Sequence, residues 1–132
     1  MKTNFRIILL MAAVMGFASA CSNGTKEAES VANDFLASYF ATDYQTAAGC
    51  CTEELGEALM TAVQEYYQME ENIQKDVVDI SSQVVTTITS VEAVAKDSVI
   101  VKYDIDMPEP DPTLHSTLTI TSVDGKWRVA EF

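Results

Sequence analysis

The hydrophobic period of this chain changes once, from three-and-four to two, and that change restricts the fold more than any other feature. From Ala28 onward the apolar residues Val31, Ala32, Phe35, Leu36, Tyr39 and Phe40 recur at three and four, one face of an amphipathic helix ending near Thr42. Asp43 suits an N-cap for a short second helix over Tyr44 to Cys51, with Tyr44, Ala47 and Ala48 inward. Thr52 is the next cap, and Glu53 and Glu54 follow it, where the helix dipole favours negative charge. A third helix then places Leu55, Leu59, Val63, Tyr66 and Ile73 on its buried stripe and Glu57, Glu65 and Glu71 outside. After about Val77 the residues become β-branched and alternate, so the remainder reads as sheet.

The clearest strand is Ser98 to Met107, where Val99, Val101, Tyr103, Ile105 and Met107 alternate with polar residues, giving one buried and one wet face. A strand over 83–95 precedes it, joined by a turn at Lys96-Asp97. Three prolines at spacing two, Pro108, Pro110 and Pro112, deny ladder donors and mark a loop. Thr113 to Val123 resumes strand, Asp124-Gly125 signals a hairpin, and Lys126 to Phe132 ends the chain with Trp127 and Val129 inward. Helices first and an antiparallel meander second specify an α+β domain over residues 28–132, its helices packed on one face of the sheet.

The N-terminus carries an address. Lys2 and Arg6 precede an apolar run from Ile7 to Phe17, followed by Ala18, Ser19 and Ala20 immediately before Cys21, the layout of an export signal over residues 1–20. The run is too short for a transmembrane helix, which needs about twenty apolar residues. Residues 22–27, Ser-Asn-Gly-Thr-Lys-Glu, are polar and aperiodic, so residues 21–27 read as the processed N-terminus and a short tether. Without Lys2 and Arg6 the basic count falls from 8 to 6 against 20 acidic residues, a net charge of about −14. Such a surface repels nucleic acid and anionic lipid headgroups, and nucleic acid is excluded as a partner.

Ala18-Ser19-Ala20-Cys21 resembles the lipobox of bacterial lipoproteins, which implies diacylation at Cys21 and a membrane anchor; Ala18 stands where Leu or Val is commoner. The same residues fit the A-x-A site of ordinary signal peptidase, which would release a soluble periplasmic protein. Ser22 after the cysteine resembles the sorting signal for the outer membrane. The element order also carries a resemblance. Phe35-Leu36 in the first helix, Asp43-Tyr44 with Ala47 opening the second, and the terminal Asp124-Gly125-Lys126-Trp127-Arg128-Val129 hairpin are similar to small nuclear-transport-factor-2-like (NTF2-like) lipoproteins. Among these the chain most resembles the lumazine-binding-like domains of unknown function of Bacteroides-type bacteria. The resemblance implies a cystatin-like cone of curved sheet around a pocket closed by the long helix, and implies no particular ligand.

Candidate chemistry is sparse. Cys50 and Cys51 are adjacent, and neighbouring Cα atoms about 3.8 Å apart are too close for an ordinary disulfide, so they read as two small semi-buried thiols. His115 shares the polar face of its strand with Thr117, Thr119 and Thr121. The acidic residues Glu70, Glu71, Asp104, Asp106, Glu109 and Asp111 lack a Gly-turned calcium loop, so no metal or other cofactor is expected. Tyr39, Tyr66, Tyr103 and Trp127 point inward and are the candidate ligand contacts. Two tripeptides fit glycosylation patterns, Asn23-Gly24-Thr25 and Asp97-Ser98-Val99. The leading expectation is a non-enzymatic envelope lipoprotein that binds a small apolar ligand or an envelope protein. The alternatives are a proton-transfer isomerase or dehydratase, which needs an inward acid beside those tyrosines, and a homodimer paired through the threonine-rich sheet face.

Overall fold

The computed structural model describes residues 19–132, with side chains from Gly24 onward. The signal expected over residues 1–20 lies outside the described residues apart from the backbone of its last two, and the side chain of Cys21 lies outside them too. Four helices, α1 (Ser19–Phe40), α2 (Tyr44–Gly49), α3 (Glu53–Gln68) and α4 (Glu71–Ser82), precede strands β1 (Val85–Ala95), β2 (Ser98–Asp106), β3 (Leu114–Val123) and β4 (Lys126–Glu131). The strands form one antiparallel sheet in the order β1-β2-β3-β4, a curved meander with the helices on one face. Register shifts between Ile88 and Ser90 and between Ala93 and Ala95 interrupt β1, the kind of irregularity that bends a strand.

Alternation on the strands builds the core. Val99 faces Ile120, Val101 faces Leu118 and Ile120 faces Val129 across the ladders, and all five are almost fully buried. Ala28, Ala32, Phe35 and Leu36 of α1 cover them. Each fully buried large side chain contributes about 1.5–3 kcal/mol, so this single layer dominates the stability of the domain. Asp124 and Gly125 both have positive φ, 53° and 77°, the primed-turn geometry in which Asp-Gly closes a two-residue hairpin.

Residues 22–27, expected as a tether, are helical instead, because the buried stripe of α1 continues upstream in small residues. Gly24, Ala28 and Ala32 are spaced four apart; the two alanines are fully buried, and a Cβ at Gly24 would lie 3.0 Å from Trp127 Cζ2. Small side chains give a weak hydrophobic signal but bring helix and sheet backbones close together.

The single long third helix is also corrected. It breaks after Gln68, where Met69 and Glu70 take extended backbone (ψ 157° and 146°), and α4 starts afresh at Glu71. Gln74 braces the break: its side-chain amide donates to the Tyr67 and Met69 carbonyls at 3.3 and 2.7 Å, and its carbonyl accepts from the Tyr66 hydroxyl at 3.4 Å. Ile73, expected on the buried stripe, is 43% exposed as a result. Residues 77–82, expected as the start of the sheet, are helical, since Ile73, Val77 and Ile80 hold a three-and-four period despite their β-branched type. Leu114 is exposed at the first position of β3, although it alternates in step with the buried Leu118.

Both expected caps are present. Asp43 accepts from the Thr46 amide at 3.3 Å and Thr52 from the Leu55 amide at 3.4 Å. The corner between α2 and α3 closes the free edge of β4: Thr52 N–H donates to the Val129 carbonyl and Val129 N–H to the Cys50 carbonyl, each at 2.8 Å. The Arg128 guanidinium donates to the Gly49 carbonyl.

Candidate functional site

The end of α1 is where the chain departs from regular geometry. Thr42 has φ 60°, its N–H donates to the Tyr39 carbonyl, and the following Asp43 N–H donates to the Ser38 carbonyl. That pair of bonds is the Schellman stop, which glycine usually fills because a Cβ is unfavourable at positive φ. A β-branched residue there is strained, and the strained turn holds Tyr39 and Tyr44 on its two sides with ring centroids 5.5 Å apart, edge to face. Replacing Thr42 with glycine is expected to stabilise the fold by about 0.5–1 kcal/mol, relief of αL strain outweighing the added freedom of the unfolded chain. Chemical denaturation midpoints check this.

Below that turn lies a cavity of about 240 Å³, lined by Tyr39, Tyr44, Leu59, Ala62, Val63, Tyr66, Met69 and Val77. Leu59, Ala62, Val63 and Tyr66 fall at three and four on α3 and present one wall. Tyr44 meets Tyr66 edge to face at 5.6 Å, and Tyr39 meets Phe132 at 5.2 Å, so aromatic rings run from the C-terminal residue to the cavity mouth. Met69 and Val77 are brought in by the break between α3 and α4, so the same kink that exposes Ile73 completes the wall.

The lining holds no carboxylate, histidine, lysine or arginine. Burial raises the Tyr39 phenol above its usual pKa, with the Tyr103 phenol adding to the effect. Burial also raises Tyr44, with Tyr39, Tyr66 and Tyr67 contributing. Both phenols therefore stay protonated near neutral pH. Among the described residues the Tyr39 and Tyr44 hydroxyls make no hydrogen bond to protein, which leaves them available to a guest, whereas the Tyr66 hydroxyl is engaged by Gln74.

Of the four aromatic residues singled out by sequence, the fold brings Tyr39 and Tyr66 together at this cavity. Tyr103 is 4% exposed within the core beneath the sheet, and Trp127 packs at the opposite end against Gly24. The space expected between the long helix and the sheet is thus displaced to the helices alone. Tyr44 was legible as an inward residue, and its position beside a predicted cap was the signal that it borders a turn. Met69 and Val77 carried no such signal.

Two other depressions are polar and open. One lies on the outer sheet face between Thr89, Lys102, Asp104, His115 and Thr117. There His115 Nδ1 and an Asp104 carboxylate oxygen are 2.6 Å apart, but the histidine side chain is 78% exposed, so water screens the pair. The second lies at the hairpin end between the α2–α3 corner, Lys126 and Arg128. Among the described residues no group of three or more histidine, cysteine, aspartate or glutamate side chains is placed to hold a metal ion.

Cys50 and Cys51 are free thiols that donate to the carbonyls one turn earlier, Thr46 and Ala47. Burial pushes Cys51 up to about 11, the Cys50 thiol adding and Arg128 opposing. Cys50 is raised as well, first by burial, then by Asp34, against Arg128. At pH 8 Cys51 is expected to alkylate about a hundredfold more slowly in the folded protein than in denaturant, following the loss of thiolate. Iodoacetamide labelling with mass detection measures it. A raised thiol pKa binds its proton more tightly in the folded state, so this contribution is intact below pH 9.0 and is lost as the pH climbs from there towards about 11.

Comparison with known proteins bears on the fold. No protein-family model matches the chain, and no curated protein does. A solved structure matches: an NTF-2-like protein of unknown function from Shewanella oneidensis MR-1, 14% identical, with a TM-score of 0.55, covering 81% of this chain and 94% of that one. The chain is similar to that protein in architecture, and the fold is NTF2-like.

Proposed function

We propose that this protein is an exported envelope lipoprotein, anchored through Cys21, whose NTF2-like domain binds a small neutral apolar ligand without transforming it. The observation that carries the reading is the cavity under the Thr42 turn, with three tyrosine rings, five aliphatic or thioether side chains and no charged group in its lining. Ligand sites are concave, mostly apolar and equipped with a few convergent polar groups. Here the two uncommitted phenols supply those groups. An anion would enter a site without a cation on a strongly acidic protein, so neutral guests are favoured.

Proton transfer needs a positioned acid or base within hydrogen-bond reach of the substrate. Protonated phenols can donate a proton but supply no base to abstract one, which supports binding over isomerase or dehydratase chemistry. The anchor rests on the lipobox-like Ala18-Ser19-Ala20-Cys21, and Ser22 favours the outer membrane. Among the described residues no helix is long and apolar enough to cross a membrane. The likeness to lumazine-binding-like lipoproteins rests on the same short motifs and on the NTF2-like architecture.

The test is stabilisation by a neutral ring compound, 2-naphthol, at neutral pH. A guest at a hundred times its dissociation constant stabilises the folded state by about 2.7 kcal/mol. Saturable stabilisation supports the reading, and an unchanged denaturation midpoint up to the solubility limit of the probe refutes it.

A further inference from the structure

Helix α4 turns the wrong face to the domain. Its half-buried residues are Gln74, Val77 and Ser81, and every other position of the helix is exposed. Its apolar stripe is Ile73, Val77 and Ile80, and of these Ile73 is 43% and Ile80 53% exposed. At about 100° per residue the centres of the two sets lie about 60° apart around the helix axis. Packing of an apolar stripe is what normally holds a short helix on its domain. Here a glutamine and a serine stand inward while two isoleucines stand in water.

The offset has a direction. Val77 belongs to both sets, midway between their centres, and is the one residue of α4 in the cavity lining, so the cavity lies on the isoleucine side of the inward face. Little fixes the helix in its present rotation. Among the described residues the side-chain hydrogen bonds that join α4 to the rest of the domain all involve Gln74. The two made by its amide are exposed, so water replaces them at small net cost. Met69 and Glu70 are extended, Glu70 gives α4 no side-chain cap bond, and only Gln83 and Val84 separate the helix from β1.

We propose that α4 is a lid: when a guest fills the tyrosine cavity, the helix rolls about its own axis by about 60° and lays Ile73 and Ile80 over it. This rests on the reading of the cavity as a ligand site. Val77 keeps its place in the wall, while Gln74 and Ser81 turn outward and Val78 turns further into solvent. The roll parts the Gln74 carbonyl from the Tyr66 hydroxyl, which then joins those of Tyr39 and Tyr44 as a donor to the guest. The guest supplies the apolar surface against which the isoleucines leave water, so it binds the rolled state better and shifts the helix towards it.

Alkylation of introduced thiols reads the roll. The variants I73C, S81C and K75C are labelled with iodoacetamide, with and without saturating 2-naphthol, and the peptide masses keep each new site apart from Cys50 and Cys51. Naphthol is expected to slow labelling at position 73 at least about tenfold and to speed it severalfold at position 81, following the change in access. Position 75, on the outer side of α4 before and after the roll, should keep its rate. The decisive rate is that of S81C, since a guest that merely covered Ile73 on a static helix would not expose position 81. An unchanged or slower S81C rate, in a sample whose denaturation midpoint naphthol has raised, overturns the lid and leaves the cavity reading standing. A wild-type midpoint that naphthol does not move overturns the cavity reading and the lid with it.

Discussion

Replacing Phe35 with alanine is expected to remove about 3–5 kcal/mol of stability, enough to bring a domain of this size near its unfolding threshold. Phe35 is fully buried, stacks on Tyr39 with centroids 5.8 Å apart, and meets Phe132 edge to face at 5.1 Å. It belongs to the layer in which α1 closes over Val99, Val101, Leu118 and Ile120. Truncation leaves a void that the regular sheet on one side cannot collapse to fill, so the cavity cost adds to the lost transfer energy. Urea denaturation checks it: the midpoint should fall with the slope unchanged, because the surface exposed on unfolding stays nearly the same. Phe132, 48% exposed, gives the contrast. Its alanine variant should lose less than half as much, and equal losses would mean that the aromatic run rather than the sheet layer holds α1 in place.

Replacing Ala62 with tryptophan is expected to weaken binding of a neutral ring compound at least about a hundredfold, or about 2.8 kcal/mol at 1.4 kcal/mol per tenfold. Ala62 lines the cavity, yet its side chain stands at the exposed rim of α3, so an indole has room to turn inward without displacing the core. The ring then occupies the space the guest needs. Stability should change little, which separates lost binding from lost folding. Calorimetric titration of wild type and variant, with denaturation curves for both, makes the comparison. Equal affinities would place the guest elsewhere.

Periodicity made the architecture legible because its main elements bury regular stripes. Val99, Val101 and Tyr103 alternate into the core as their sequence demands, and the Asp43 and Thr52 caps fall where short polar side chains precede apolar runs. Legibility failed where the physics is not periodic. Gly24 packs closely on Trp127 through the absence of a side chain, which no hydrophobic count registers. The break at Met69 has neither glycine nor proline; it is held by Gln74 reaching back to two carbonyls, a tertiary cause invisible in a local window.

The site was half legible for the same reason. Tyr39 and Tyr66 sit on regular helical stripes and could be picked out as inward aromatics. Their meeting depends on a threonine at positive φ and on the α3–α4 kink, neither of which carries the usual residue. Trp127 is separated from the cavity by the length of α1, and Tyr103, whose phenol lies close enough to raise that of Tyr39, is buried in the core and stays outside the lining, a distinction that sequence spacing does not express.

The central claim is that a neutral apolar guest occupies the space bounded by Tyr39, Tyr44 and Tyr66. Methyl and aromatic NMR resonances followed during titration with 2-naphthol, and in parallel with 2-naphthoate, test it most directly. Saturable shifts centred on Leu59, Ala62, Val63, Met69, Val77 and the three tyrosine rings are expected with naphthol, and much weaker shifts with the anion. Shifts centred on Thr89, His115 and Thr117 of the outer sheet face, or equal responses to both compounds, would contradict it.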